Sequence, residues 1–173
     1  LYGHWGWEKN INTFKFKKDN QPAFLIKNPV EKFLPGGWGG SSNSMIKSSV
    51  FKSIGGCDDN VFVQDFSLPM RVAGYHLKNK GNKKFKIGQS QKLICVAPEF
   101  IENRIISNNG QLLYDLSIAT INFLESHKFV KKSLVKKCKI KILSRCWSWQ
   151  RRHNKVSVFN RLFLTYFNNR ILK

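Results

Sequence analysis

The residues best suited to chemistry lie between residues 51 and 71. An Ile-Gly-Gly turn at residues 54–56 precedes Asp65, and Arg71 follows Asp65 by six residues. A carboxylate where a strand passes into a helix can project into a cleft and take a proton from a reacting hydroxyl. The helix N-terminus would keep Asp65 ionised. The same spacing also fits a helix N-cap at Asp65, with Arg71 as a solvated partner on the helix surface.

Hydrophobic periodicity and turn residues predict the elements that must position these residues. The short elements are a strand at 14–17, a loop at 34–44, a strand at 45–47 and a helix at 48–54 ended by Gly55-Gly56. Because Pro69 fits only the first turn of a helix, the Asp65 helix should begin near residues 65–67, and Gly74 should end it. The later elements are a strand at 92–97, a helix from about residue 110 and helices capped by Ser133 and Ser157.

The Ile-Gly-Gly-Cys-Asp segment at 54–58, followed by Gln64-Asp65, Leu68 and Arg71, resembles the acceptor-side half of family 2 glycosyltransferases. These enzymes have the GT-A fold, and their usual pattern is Ile-Gly-Gly-Phe-Asp-Glu and then Glu-Asp. The resemblance extends over about residues 36–124. It includes a downstream set of polar and small residues, which is Ser107, Asn109, Gln111, Asp115 and Ala119. Three positions depart from the pattern, namely Cys57, Asp59 and Gln64.

The resemblance implies transfer of a sugar from a nucleotide-sugar donor to a glycan or lipid-linked acceptor, with inversion and with Asp65 as general base. Arg71 would brace the base or the acceptor loop, and Gln64 would help to bind the acceptor without the second carboxylate of the usual Glu-Asp pair. Gly37, Trp38 and Gly39 would line the acceptor groove, since aromatic rings stack on sugars and glycine permits close approach of the backbone. A plain surface loop is the alternative interpretation of these three residues.

The fold implied by the resemblance is α/β. Residues 1–105 would form the acceptor-side part of a GT-A mixed sheet, and residues 106–173 a helical, basic C-terminal region. The family also implies a divalent metal, Mg²⁺ or Mn²⁺. The sequence has no Asp-x-Asp metal motif, so the metal ligands would lie mostly outside this chain. We therefore expect the chain to be the C-terminal portion of a longer enzyme.

Positive charge is concentrated towards the C-terminal end. The 173 residues include 30 Lys+Arg and 10 Asp+Glu, for a net charge of +20, and every carboxylate side chain lies at or before Glu125. A segment of this kind is attracted to polyanions, so a non-catalytic module that binds nucleic acid or an anionic membrane surface is the alternative function. No recognised nucleic-acid-binding motif occurs, and no specific nucleic-acid partner is expected. Trp147 and Trp149 could lie at a lipid interface, and for Trp147 packing in the core is the alternative.

The cysteines lack the spacing of a metal site or a disulfide scaffold. No two form a C-x-x-C pair, and no histidine pair accompanies them. We expect all four to be reduced, and buried or inert: Cys57, Cys95, Cys138 and Cys146. This predicts a cytoplasmic protein, which the basic region could hold at the inner face of the membrane.

Overall fold

The computed structural model describes residues 2–16, 22–34, 43–79, 85–99, 109–153 and 160–171. Within these ranges the strands are β1 Tyr2–Glu8, β2 Phe24–Leu25 and β3 Gly88–Pro98. The helices are α1 Pro29–Phe33, α2 Ser48–Ser53, α3 Gln64–Lys78, α4 Asn109–Ser126, α5 Lys132–His153 and α6 Arg161–Ile171.

The three strands form a mixed sheet in the order β1-β3-β2. β1 runs parallel to β3, so that Tyr2 faces Gln89 and Glu8 faces Pro98, while β2 pairs antiparallel with the start of β3. Parallel strands need a crossover connection, and helices α1 to α3 lie within the connection here. This mixture of helices and a small sheet is compatible with the predicted α/β class. The strand predicted at 92–97 is β3, which is longer than expected.

One hydrophobic core joins the two predicted regions. It contains Phe33 from α1 and Met70 from α3, together with Phe123 from α4 and Cys138 from α5. Phe33 and Cys138 are both at most 1% exposed. The predicted boundary at residue 105 itself lies outside the described residues.

Helix α3 is longer than predicted at both ends. It begins at Gln64, so Pro69 lies inside the helix, and it continues through Gly74 to Lys78. Pro69 has no N–H to donate to the carbonyl of Asp65, and the buried setting of its ring offsets that loss. Gly74 permits close packing. A Cβ atom there would lie 2.5 Å from His127 Nε2 and 2.8 Å from Phe123 Cε2.

Two predicted strands are absent, and strands β1 and β2 were not predicted. Residues 14–16 and 45–47 form no strand, and the rings of Phe14 and Phe16 instead pack edge to face with centroids 5.2 Å apart. Strand β1 was missed because its partner β3 lies far away in sequence. Its Gly3 allows close approach, since a Cβ atom there would collide with the side chain of Ile94.

The C-terminal helices follow the predicted order. α4 begins at Asn109 and α5 at Lys132, one residue before the predicted cap at Ser133. The predicted cap of the last helix, Ser157, lies outside the described residues. Asn160 caps α6, because its Oδ1 accepts a hydrogen bond from the backbone N–H of Phe163 at 2.9 Å.

Candidate functional site

The Gly55-Gly56 turn ends α2 in a conformation that favours glycine. The φ angles are +75° at Gly55 and +71° at Gly56, in the left-handed region. The N–H of Gly56 donates to the carbonyl of Phe51 at 2.9 Å, and the N–H of Gly55 donates to that of Lys52 at 3.0 Å. These bonds satisfy backbone carbonyls in the last turn of α2 that have no hydrogen-bond partner within the helix. The predicted turn is therefore present, with both glycines required.

Arg71 fastens this turn to α3. Its Nη1 donates to the carbonyl oxygen of Gly56 at 2.7 Å, and its Nη2 donates to that of Ile54. The side chain is half-buried, so Arg71 is not the solvated residue on the helix surface that the alternative interpretation predicts. Arg71 therefore braces the loop that precedes Asp65. A direct contact between Arg71 and a substrate stays a prediction.

The Gln64 amide holds the next part of the loop. Its Nε2 donates to the carbonyls of Asp58 at 2.8 Å and Val61 at 2.6 Å. Its Oε1 accepts from the N–H of Asp58 at 3.1 Å and from the hydroxyl of Ser67 at 3.3 Å. A glutamate could not supply the two N–H donors. Gln64 thus has a structural role in the loop, and its predicted contact with an acceptor stays a prediction.

Asp65 is the second residue of α3 and is half-buried. The N-cap of α3 is Val63, which makes no side-chain capping bond, so the N-cap interpretation of Asp65 is wrong.

Asp115 connects α4 to the same loop, and the sequence analysis gave it no role of its own. Its carboxylate is 1% exposed. Oδ2 accepts from the N–H of Phe62 at 2.9 Å, and Oδ1 accepts from Nε2 of Gln111 at 2.7 Å. The two separated parts of the resemblance, before and after residue 100, therefore meet at the loop that precedes α3. A carboxylate four residues after a glutamine on a helix was the available signal for this pair.

A small cavity of about 110 Å³ lies between this loop and α4. Arg71 and Ser67 line one side, and Asn122 and His127 line the other. Its volume is below the range of about 300–1,000 Å³ that is typical of ligand pockets. Burial lowers the pKa of His127, and the charge of Lys78 lowers it further, against the opposing effect of the bond to the carbonyl of Phe123. The predicted groove residues Gly37, Trp38 and Gly39 lie outside the described residues.

The described ranges offer no metal centre, since no three His, Cys, Asp or Glu side chains in them are placed to hold an ion. The predicted Mg²⁺ or Mn²⁺, whose ligands were expected to lie mostly outside this chain, stays a prediction. The cysteines within these ranges are free thiols. Burial raises the pKa of Cys138 to about 11, whereas Cys57 is exposed.

The tryptophans of α5 pack between helices. The Trp147 ring contacts Phe163 and Tyr166 of α6, with centroids 5.2 and 5.8 Å apart, and the Trp149 ring stacks on His153 at 4.9 Å. Packing within the protein, the second of the two interpretations above, therefore describes Trp147. No helix in the described part of the chain combines the length and the apolar character needed to cross a membrane.

No protein-family model, no curated protein and no solved structure matches the chain.

Proposed function

We propose that this chain is the acceptor-side part of an inverting glycosyltransferase of the GT-A type. The observation that carries the proposal is the position of Asp65, in the first turn of α3 and directly after a loop held by Arg71, Gln64 and Asp115. The donor would be a nucleotide-sugar and the acceptor a glycan or a lipid-linked glycan. The protein would work in the cytoplasm or at the inner face of the membrane.

The proposed reaction needs one base on the acceptor side. Asp65 would accept the proton of an acceptor hydroxyl while that oxygen forms a bond to the anomeric carbon of the donor sugar. The bond from that carbon to the phosphate oxygen would break, and its electron pair would leave with the nucleotide. Attack from the face opposite the leaving group would invert the anomeric centre.

The loop contributes to this reaction by holding Asp65 in place. Arg71 and Gln64 are positioning residues, since both bond to backbone groups between Ile54 and Val61. A rigid setting matters because small displacements of a reacting group lower the rate strongly. No step of the proposal passes through a metal bound to the described residues.

The test is sugar transfer by the complete gene product that contains these residues, measured with a panel of nucleotide-sugars. Asp65→Asn should lower kcat by about 10²–10⁴-fold, the usual contribution of a general base, while donor affinity stays within about twofold. Asp59→Asn is the matched control, because it makes the same change at an exposed carboxylate of the same loop. Full activity of Asp65→Asn, or equal losses in both variants, would contradict the assignment.

The second candidate is a non-catalytic basic module that binds an anionic surface. The observation in its favour is the set of exposed cations around α5, which includes Lys132, Lys137, Lys139, Arg151 and Arg152. Binding to vesicles of anionic lipid should then fall steeply between 50 and 200 mM salt, as rough working limits for screening. Absence of sugar transfer, together with such binding, would favour this candidate over the enzyme.

A further inference from the structure

Helices α4, α5 and α6 enclose an apolar groove with a volume of about 570 Å³. Leu113 and Tyr114 of α4, Cys146 and Trp149 of α5 and Leu162 of α6 contribute to its walls. This volume lies within the range of pockets that bind small molecules. The groove is separate from the loop that holds Asp65.

A second cavity of about 380 Å³ lies beside the groove, and the two share Leu113 and Trp149 as walls. Its other walls include three cations, which are Lys141, Arg145 and Arg152. These residues follow one another by four and seven positions, so they form a stripe along one face of α5. The hydroxyl residues Ser144 and Ser148 also line this cavity, and none of the described residues that line it is a carboxylate.

The cations of this cavity suit an anionic ligand. Arg145 is half-buried, and its guanidinium carbon lies 5.9 Å from the centroid of the Phe66 ring. Burial lowers the pKa of Arg145, against the opposing effect of the Cys138 and Cys146 thiols. A phosphate would compensate this burial, because guanidinium and phosphate form strong, charge-assisted hydrogen bonds.

Trp149 separates the two cavities and has an unused donor. Its indole Nε1 is buried and meets no acceptor within the part of the chain that the structure describes. A buried N–H without an acceptor destabilises a structure, and a ligand oxygen would satisfy it. An amphiphilic ligand therefore matches all three features, which are the apolar groove, the cation stripe and the unused donor.

We infer that α4, α5 and α6 bind a phosphorylated lipid, with its phosphate against Lys141, Arg145 and Arg152 and its apolar chain in the groove beside Trp149. This site does not depend on the proposed sugar transfer. Phe66 follows Asp65 directly, so the contact between Arg145 and Phe66 joins the phosphate end of the site to the first turn of α3.

The test is calorimetric binding of monomeric octyl phosphate to the full chain at about 150 mM salt, where screening suppresses weak surface attraction. Inorganic phosphate serves as the ligand that has the head charge without the chain, and octyl glucoside as the ligand that has the chain without the charge. Octyl phosphate should bind at least about 50-fold more tightly than inorganic phosphate, because each buried methylene contributes a factor of about four. It should also bind at least about tenfold more tightly than octyl glucoside, because a charge-assisted hydrogen bond is lost.

The variants locate the phosphate. Arg145→Gln should weaken the binding of octyl phosphate about tenfold and leave the binding of octyl glucoside unchanged. Arg152→Gln alters an exposed side chain and should weaken the binding of octyl phosphate about fivefold. This second variant tests the phosphate site if the variant at the half-buried Arg145 does not fold. The matched control is Lys139→Gln, which removes one exposed charge of α5 outside the cavity and should change the affinity less than about twofold.

Three outcomes would overturn the inference. Equal affinities for octyl phosphate and inorganic phosphate would show that the groove binds no chain. Equal losses in Arg152→Gln and Lys139→Gln would show general charge attraction. Displacement of bound octyl phosphate by a short single-stranded RNA, with the same dependence on Arg152, would assign the cations to nucleic acid. Because binding is measured without turnover, these results are independent of the Asp65 test.

Discussion

Replacing Gln64 by glutamate restores the residue that the resembled pattern carries, and the structure predicts that this change destabilises the protein. The Gln64 Nε2 donates to the carbonyls of Asp58 and Val61 at 2.8 and 2.6 Å. Gln64→Glu removes both donors and places a carboxylate oxygen against two carbonyl oxygens. The bonds accepted by Oε1 from Asp58 and Ser67 can persist.

The expected loss follows from these contacts. Two lost hydrogen bonds cost about 1 kcal/mol each, and an acceptor held against two other acceptors in a half-buried loop adds to that cost. We expect the free energy of unfolding to fall by about 2–4 kcal/mol at pH 7.5. With a urea m-value of about 2 kcal/mol/M, the midpoint of unfolding falls by about 1–2 M.

The loss should depend on pH with a defined sign. The folded state raises the pKa of the introduced glutamate, because the carbonyls disfavour its charge and its protonated form can donate to one of them. The folded state then binds a proton more tightly than the unfolded state. The variant therefore loses stability, relative to the parent, as pH rises from the unfolded pKa to the folded pKa. The deficit is smallest below about pH 4.3, the unfolded value, and is complete above the folded value.

Urea unfolding of both proteins at pH 4.5 and 7.5 checks this prediction. The control is Gln91→Glu, which makes the same change at an exposed position of β3 and should leave the midpoint within about 0.3 M of the parent. If Gln64→Glu is as stable as the parent at pH 7.5, the amide does not hold the loop. If the deficit is the same at both pH values, the carboxylate does not face the carbonyls.

Three further predictions concern packing, the turn and the thiols. Gly74→Ala should lower the free energy of unfolding by about 1–2 kcal/mol, because the clash with Phe123 and His127 exceeds the gain of about 1 kcal/mol in helix propensity; a higher melting temperature would refute it. Arg71→Lys loses the two hydrogen bonds to the carbonyls of Ile54 and Gly56 and should speed hydrogen exchange of the Gly55 and Gly56 amides by about tenfold. The control Arg152→Lys changes an exposed side chain and should leave this exchange unchanged. Unchanged exchange in Arg71→Lys would exclude the bracing role. In the folded protein at pH 8, a thiol reagent should label the exposed Cys57 first and Cys138 only after unfolding, because burial raises the Cys138 pKa to about 11. Equal labelling rates for the two thiols would contradict the buried position of Cys138.

Local turn chemistry made one part of the fold predictable. The end of α2 at Gly55-Gly56 depends on a left-handed conformation that glycine adopts freely, so the dipeptide alone indicates it. The order of α4, α5 and α6 also follows from local periodicity. Both signals act within a few residues, which is the range over which a single sequence is informative.

Features that depend on distant contacts could not be predicted in this way. Gly74 looks like a helix end, but its role is set by Phe123 and His127, about fifty residues away. β1 exists because it pairs with β3, which lies more than eighty residues later. The same limit applies to Asp115, whose bond to the Phe62 N–H is visible only after the chain folds. The bracing role of Arg71 was predictable only as one of two alternatives.

The positions of neighbouring carboxylates favour Asp65 over them as the proposed base. Asp115 is buried and engaged by Phe62 and Gln111, so an acceptor hydroxyl could not reach it. Asp58 closes its own turn, because its Oδ1 accepts from the N–H and the amide of Asn60 at 3.0 and 3.2 Å. Asp59 is exposed on that turn, where no contact among the described residues orients its carboxylate towards a reacting group. Asp65 is partly exposed in the first turn of a 15-residue helix, which gives it the access to a substrate that a base needs.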